Sequence, residues 1–389
     1  MKYFILVCLP VLLIYNFSLA QHLTSDEAVR RALERSPLKK SADLQVLQQI
    51  NERKASFNPG DPELLIESPT GEFMTVGIEQ SISFPSVYIK QGRLAKEKVL
   101  LAESNRMLTE QEVMHKVRSA YLNVRYNTAL LKLLRKQDSV YASLATASER
   151  QFNAGQIDYV ARTFSSTQYG AVHTSLMLNE GKWHSSLFEL MLYTGLTDSV
   201  ITDSLTPMEF MLRDTSLASD APAIQYQKQA VTVAGRSLEL ERNKVWPSFV
   251  FGYLNPGGSD VEIPMRLRAG ISIPLWFWKY SSAIKSAKLH VEMVNQNMAA
   301  EKQDLMIQLS AQQNDLVNYQ AALNYYTAEG FKDTEELASS AGRMFEAGQT
   351  DYLTYLRTLN EAYTLQIRQL ETIKNLNQTI INIKYLIGE

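Results

Sequence analysis

Arg150-Gln151-Phe152-Asn153-Ala154-Gly155-Gln156-Ile157-Asp158-Tyr159 and Arg343-Met344-Phe345-Glu346-Ala347-Gly348-Gln349-Thr350-Asp351-Tyr352 are two versions of one turn. Each sets a glycine, able to take the left-handed conformation that ends a helix, shortly before an aspartate able to cap the next one. Further pairs flank these turns in the same order. Ser36-Pro37 matches Ala221-Pro222, Pro62-Glu63-Leu64 matches Pro247-Ser248-Phe249, and Ile82-Ser83-Phe84-Pro85 matches Ile271-Ser272-Ile273-Pro274. Leu192-Tyr193-Thr194-Gly195 and Tyr385-Leu386-Ile387-Gly388 close both series. The matches fall mostly on Pro and Gly, which punctuate structure, so they report a duplicated unit and not a shared helical composition.

Each copy reads as helix, hairpin, long helix, turn, helix. Residues 21–195 hold the first copy, 196–221 connect, and 222–388 hold the second. Thr24-Ser25-Asp26-Glu27 has the pattern of a capping box, and the helix it opens is predicted to run to about Phe57, before Asn58-Pro59-Gly60. Strands are predicted at about 62–84 and 247–274, closed by Pro85 and Pro274. Long helices at about 86–152 and 276–345 follow, almost free of Gly and Pro. At 1.5 Å per residue each is roughly 100 Å long. Rods of that length need coiled-coil-like packing and have no place in a compact enzyme.

The strands alternate. Met265, Leu267, Ala269, Ile271 and Ile273 are interleaved with Arg266, Arg268, Gly270 and Ser272. Met74, Val76, Ile78, Ile82 and Phe84 are interleaved with Thr75, Gly77, Glu79, Ser81 and Ser83, with Gln80 the exception on the apolar side. Such a period fits a sheet over a soluble core and also a membrane barrel. Trp276, Phe277, Trp278 and Tyr280 follow the last strand, where a membrane girdle or an ordinary core cluster has the same composition. Two hairpins give four strands, too few to close a barrel in lipid, so closure requires several chains. Three copies give twelve strands, with the Arg266 and Arg268 face toward the lumen.

The chain begins with Lys2, an apolar run from Tyr3 to Tyr15, and Ser18-Leu19-Ala20 before Gln21, the pattern of a secretory signal over residues 1–20. Cys8, the single cysteine, lies inside it, so no disulfide, thiol chemistry or lipid anchor is expected. Beyond it no apolar stretch is long enough for a spanning helix. The formal charge of −2 is too slight to attract nucleic acid. His22, His115, His173, His184 and His290 are scattered, without metal-ligand spacing, and the methionines form no cluster. With no phosphate loop and no nucleophile elbow, catalytic, cofactor and metal sites are all expected to be absent.

Leu23-Thr24-Ser25-Asp26-Glu27-Ala28-Val29, then Ala32-Leu33 and Ser36-Pro37, resembles the first helix of the TolC family of outer-membrane efflux proteins. The Pro before each long helix and the Gly at its far end stand where that family has them. The resemblance implies a mainly α fold with a β-barrel contribution: a homotrimer with a twelve-stranded barrel in the outer membrane and a coiled-coil helical barrel reaching through the periplasm. It implies a passive duct, opened by an iris-like shift of its helix pairs, whose partners are outer-membrane lipid, a periplasmic adaptor (membrane fusion protein) and an energised inner-membrane pump. Ala154, Gly155 and Gln156, with Ala347, Gly348 and Gln349, become the adaptor-contact candidates. The places where some members carry constricting acidic residues hold Thr354 and Arg357 here, matched by Ala161 and Phe164 in the first copy. The acidic ring is therefore missing, and Arg357 faces either a lumen or outer solvent. The cargo is open, metal ions of the CzcC type included. A soluble periplasmic coiled-coil adaptor and a secreted enzyme on a helical scaffold are the competing readings.

Overall fold

In a computed structural model of the chain, residues 21–68, 74–197, 200–210, 221–256, 267–327 and 331–389 are described. The signal segment lies outside them.

β1 (Gln21–Leu23) leads into α1 (Ser25–Arg35) and α2 (Pro37–Lys54). The sequence predicts one helix here, and the structure corrects it to two. Ser36 ends α1 and caps α2 with its hydroxyl, accepting from the Lys39 N–H at 3.2 Å, while Pro37 takes the first-turn position where no donor is needed. The predicted capping box is half formed. Thr24 accepts from the Glu27 N–H at 3.3 Å, but the Glu27 carboxylate turns outward to Arg30 and Arg31 at 2.6 to 3.0 Å. Two guanidinium partners outbid one backbone amide. α2 stops at Lys54, and Gly60 at φ 87° turns the chain, its N–H bonded to the Asn58 side chain.

β2 (Glu63–Glu67) and β3 (Thr75–Ile82) form the first hairpin, and α3 (Pro85–Asn153) the first rod. α4 (Tyr159–Thr194) returns along it and ends at Gly195, φ 69°. β4 (Val200–Thr202) lies parallel to β1, so the connecting segment closes over the N-terminal strand. Tyr121 of α3 ties both: its hydroxyl donates to the Leu23 carbonyl at 2.8 Å and lies 2.8 Å from the Asp203 carboxylate.

The second copy repeats the order with α5 (Pro222–Asn243), β5 (Ser248–Pro256), β6 (Leu267–Ser272), α6 (Phe277–Tyr325), α7 (Phe331–Glu346) and α8 (Tyr352–Ile387). Over the stretch predicted as a long helix at 276–345, α6 and α7 are both helical; α6 runs into a π turn at residues 326–327, and residues 328–330 lie outside the described residues. A π turn shifts the i→i+4 ladder by one residue and interrupts the regular helix. Among the described residues four cores hold the rods together, one of them joining α5, α6 and α8 through Ile224, Leu305 and Leu386. α1, α3 and α4 pack around Val117, Tyr121 and Leu190. α6 and α8 pack through Leu316, Leu323, Leu376 and Ile380. Near the turns, α3, α4 and α8 meet at Tyr141, Ala161, Leu356 and Leu359. Each fully buried leucine contributes roughly 1.5 to 3 kcal/mol, so the long helices are stabilised by packing rather than by propensity. None of the described helices is long and apolar enough to cross a membrane.

Candidate functional site

Two regions carry the chemistry, a four-stranded sheet at one end and a pair of helical turns at the other. The sheet has the order β2-β3-β5-β6, antiparallel throughout, and among the described residues β2 and β6 have no further strand beside them. Registers place Leu64, Ile78, Tyr253 and Leu267 in one lateral row across all four strands. Ile66 and Val76 stand beside it, as do Phe249 and Ile271. This face is open: Leu64 is 71 % and Leu267 74 % exposed, with Ile66, Val76, Ile78, Phe251 and Ile271 also exposed. Trp276, Phe277 and Trp278 continue the exposed apolar surface, Trp276 and Trp278 in ring contact at 5.2 Å. Their exposure removes the core-cluster reading of these aromatics within the chain.

The opposite face carries Glu63, Glu67, Thr75, Glu79, Ser81, Ser248, Gly252, Arg268 and Ser272, with Leu65, Leu254 and Val250 as its apolar members. Arg268, expected on the lumen-lining face, stands on this polar face and is paired there: its guanidinium lies 3.3 Å from Glu79 and 3.6 Å from Glu67. Arg266 lies outside the described residues. Three carboxylates, Glu63 and Glu67 on β2 and Glu79 on β3, against one arginine on β6 make the described polar face acidic. Of the described strands β5, at 9 residues, reaches the length of about 9 to 11 that a spanning strand requires, while β2, β3 and β6 are described over 5, 8 and 6 residues.

At the other end both turns close identically. Gly155 and Gly348 have φ 71° and 69°. In each, the glycine N–H reaches back three residues, to Phe152 and Phe345, and the following glutamine N–H five residues, to Gln151 and Met344. Asp158 then caps α4 through the Ala161 N–H at 2.7 Å, and Asp351 caps α8 through the Thr354 N–H at 2.9 Å. The Thr354 hydroxyl adds a bond at 2.6 Å, and these donors hold the Asp351 carboxyl below the ordinary range. Ala154, Gly155, Gln156, Ala347, Gly348 and Gln349 are all exposed, and a Cβ at either glycine would meet open space.

The four constriction candidates part company. Ala161 is only 7 % exposed and packs in the core between α3, α4 and α8, and Phe164 packs against the same core. Thr354 and Arg357 are exposed on α8, and Arg357 makes no hydrogen bond or ion pair to a described residue. Along α8 the exposed positions Asp351, Thr354, Arg357, Glu361, Arg368 and Glu371 are all polar and share one face.

Sequence reasoning missed Tyr352. Its side chain is 5 % exposed, and its hydroxyl donates to the Leu144 carbonyl of α3 at 2.8 Å and lies 3.2 Å from Ser165 Oγ of α4. One phenol thus ties the start of α8 to both helices of the first hairpin. Among the described residues no group of His, Cys, Asp and Glu is placed to hold a metal ion. His22 faces Asp203, His173 faces Asp138, and His115 lies 2.9 Å from Asn382.

No family model matches the chain, and no curated protein matches it. Solved structures do. CusC, whose crystal structures concern folding and transmembrane channel formation, aligns at TM-score 0.79 and 13% identity over 96% of each chain. The outer-membrane channel OprN aligns at 0.81 and 13% identity, over 94% of this chain and 89% of that one. The outer membrane protein VceC from Vibrio cholerae aligns at 0.78 and 12% identity, over 94% and 96%. The duplicated helix–hairpin–helix chain therefore has the fold of these channel proteins, the fold that the TolC-family resemblance implies.

Proposed function

We propose that this chain is the outer-membrane channel component of a tripartite efflux system, a passive duct that reaches from the outer membrane into the periplasm. The observation that carries the reading is the sheet. One face is a broad exposed apolar surface, the other is polar, and among the described residues neither edge strand has a second strand to pair with. Water disfavours the first face and lipid disfavours unpaired strand edges, so a closed ring of several chains in a membrane satisfies both. Three copies supply twelve strands.

The helices support the same assembly. Leu289, Met293, Met306, Ile307 and Val317 are exposed on α6, and Met177, Leu178, Phe188 and Leu192 on α4, surfaces that a second copy would cover. The hydrophilic face of α8 suits the water-filled side of such a helical barrel. In this reading the exposed turns at Gly155 and Gly348 meet a periplasmic adaptor, an inner-membrane pump supplies the energy, and Thr354 and Arg357 border the entrance. The channel structures that share the fold support it further. No catalytic step is assigned to the chain.

The test is fractionation followed by imaging. The full chain is expected in the outer-membrane fraction, and in detergent as a threefold hollow cylinder with a helical part of about 100 Å. A monomer in the soluble periplasmic fraction without detergent would refute it in favour of an adaptor.

A further inference from the structure

Arg268 stands on an edge strand, yet its charge partners stand on β3 and on the opposite edge, β2. The registers explain the first contact. Arg268 is directly opposite Gly252, and Gly252 is directly opposite Glu79, so the three form one lateral row. Two strand spacings, roughly 10 Å, separate Arg268 from Glu79, and the residue between them has no side chain. A Cβ at Gly252 would lie 3.4 Å from the Arg268 Cβ, 3.7 Å from the Glu79 Cβ and 3.3 Å from the Ile78 carbonyl oxygen. The guanidinium therefore crosses β5 over a gap that glycine leaves open.

The second contact is more demanding. Glu67 is three spacings away, roughly 14 Å, and lies four residues along β2 from Glu63, the residue in Arg268's own row. An approach of 3.6 Å over that diagonal requires the polar face to be concave, with its side chains converging. Burial agrees. On β3, Thr75 and Gly77 of the polar face are buried, while Val76 and Ile78 of the apolar face are exposed. Glu63 and Glu79 also sit opposite each other, a like-charge pair that opposes strand pairing unless a cation stands near.

We propose that Arg268, passing over Gly252 to Glu79 and Glu67, is a strap that fixes the curvature of the sheet before ring closure. It is a positioning residue: it presents the edges β2 and β6 at the angle a second copy needs. The inference rests on the channel reading above, and its test is separable from that reading. The strap links strands that are not neighbours, so it resists flattening in a way the ladder hydrogen bonds between adjacent strands do not. Occupying the concave side, it also takes Arg268 out of service as a free positive charge in the lumen.

The experiment is a charge-swap cycle on the full chain in detergent, reading the thermal midpoint and the proportion of oligomer. Arg268→Glu and Glu79→Arg each place like charges together and are expected to lower both readouts. The double variant is expected to recover about half or more of the loss, as coupled neighbours do. If the charge-reversed single variants fail to assemble, Arg268→Gln, Glu79→Gln and their double form the same cycle with neutral side chains. There the double is expected to cost no more than the worse single variant. Gly252→Val is expected to abolish the strap, so that adding Arg268→Gln to it brings no further loss. Strictly additive losses in either cycle overturn the proposal. A wild-type chain that stays monomeric overturns the channel reading instead, while the coupling measured on its thermal midpoint still decides the strap.

Discussion

Tyr352→Phe removes one oxygen atom and leaves the ring in place. That oxygen makes two contacts across elements, to the Leu144 carbonyl at 2.8 Å and to Ser165 Oγ at 3.2 Å, in surroundings where Ser165 is fully buried. Burial holds the Tyr352 phenol above its ordinary pKa, so the donor keeps its proton throughout the neutral range. A neutral hydrogen bond contributes about 1 kcal/mol net, so the two are worth roughly 1 to 2 kcal/mol. If α8 moves away from the first hairpin when the entrance opens, both bonds belong to the closed arrangement alone. Losing them then raises the open-to-closed ratio by roughly 5- to 30-fold. Single-channel recordings in planar bilayers measure that ratio directly, and Ser165→Ala, which removes one contact of the two, is expected to give a smaller rise. An assembled Tyr352→Phe channel with wild-type open probability would refute the reasoning, because the tie would then persist through opening or carry no energy.

Arg357→Asp is expected to shift the bilayer reversal potential toward cation preference, since three exposed arginines would become three carboxylates at one level of the pore. Unchanged selectivity removes Arg357 from the lumen. Asp158→Ala is expected to cost about 1 kcal/mol of stability as the cap of α4 is lost, read from the thermal midpoint. Asp351→Ala lowers the midpoint too. Its folded-state pKa is depressed, so the contribution of this group is present above the ordinary carboxylate pKa and disappears as pH falls through the lowered value. Tyr121 and Tyr126 are both pushed up to about 12 by burial. The folded state therefore holds protons that the unfolded chain releases above about pH 10, and stability is expected to fall as pH rises from there toward 12. Tyr126→Phe keeps the ring and deletes one titration, so the alkaline loss in thermal midpoint should shrink, and an unchanged loss would contradict the assignment.

Much of the fold is legible because its landmarks are local. A glycine at φ 71° followed by a capping aspartate needs no distant partner, and Gly155, Asp158, Gly348 and Asp351 do what their residue types dictate. The break at Ser36 has a local signal, since Ser-Pro is a cap followed by a first-turn residue, but the helical pattern continues on either side and masks it. The charge of the polar face was not legible from one strand. Arg268 reads as an unpaired cation until the register sets it opposite Gly252 and two strands from Glu79, and register is a property of the assembled sheet.

The limit is sharpest where the two copies hold the same residue. Tyr159 and Tyr352 occupy equivalent places, each the first residue of a helix after its capping aspartate, yet Tyr159 is 63 % exposed and Tyr352 is buried. The difference arises from packing between copies: α8 lies against α3 and α4, so the tyrosine that opens α8 is enclosed, whereas the one that opens α4 points away. Neighbouring positions have diverged to suit. In the first copy Arg162 pairs with Glu149 at 2.5 Å and lies over the Phe152 ring. The equivalent residues of the second copy are Tyr355 and Gly342, and Tyr355 stacks flat on Phe345 at 5.1 Å, close to the space that a Cβ at Gly342 would enter. One turn is thus braced by an exposed ion pair that salt screens, the other by ring stacking that salt leaves untouched. A duplication that began with two equal hairpins has made one of them a frame and given the other the buried tie, Tyr352, that holds it to that frame.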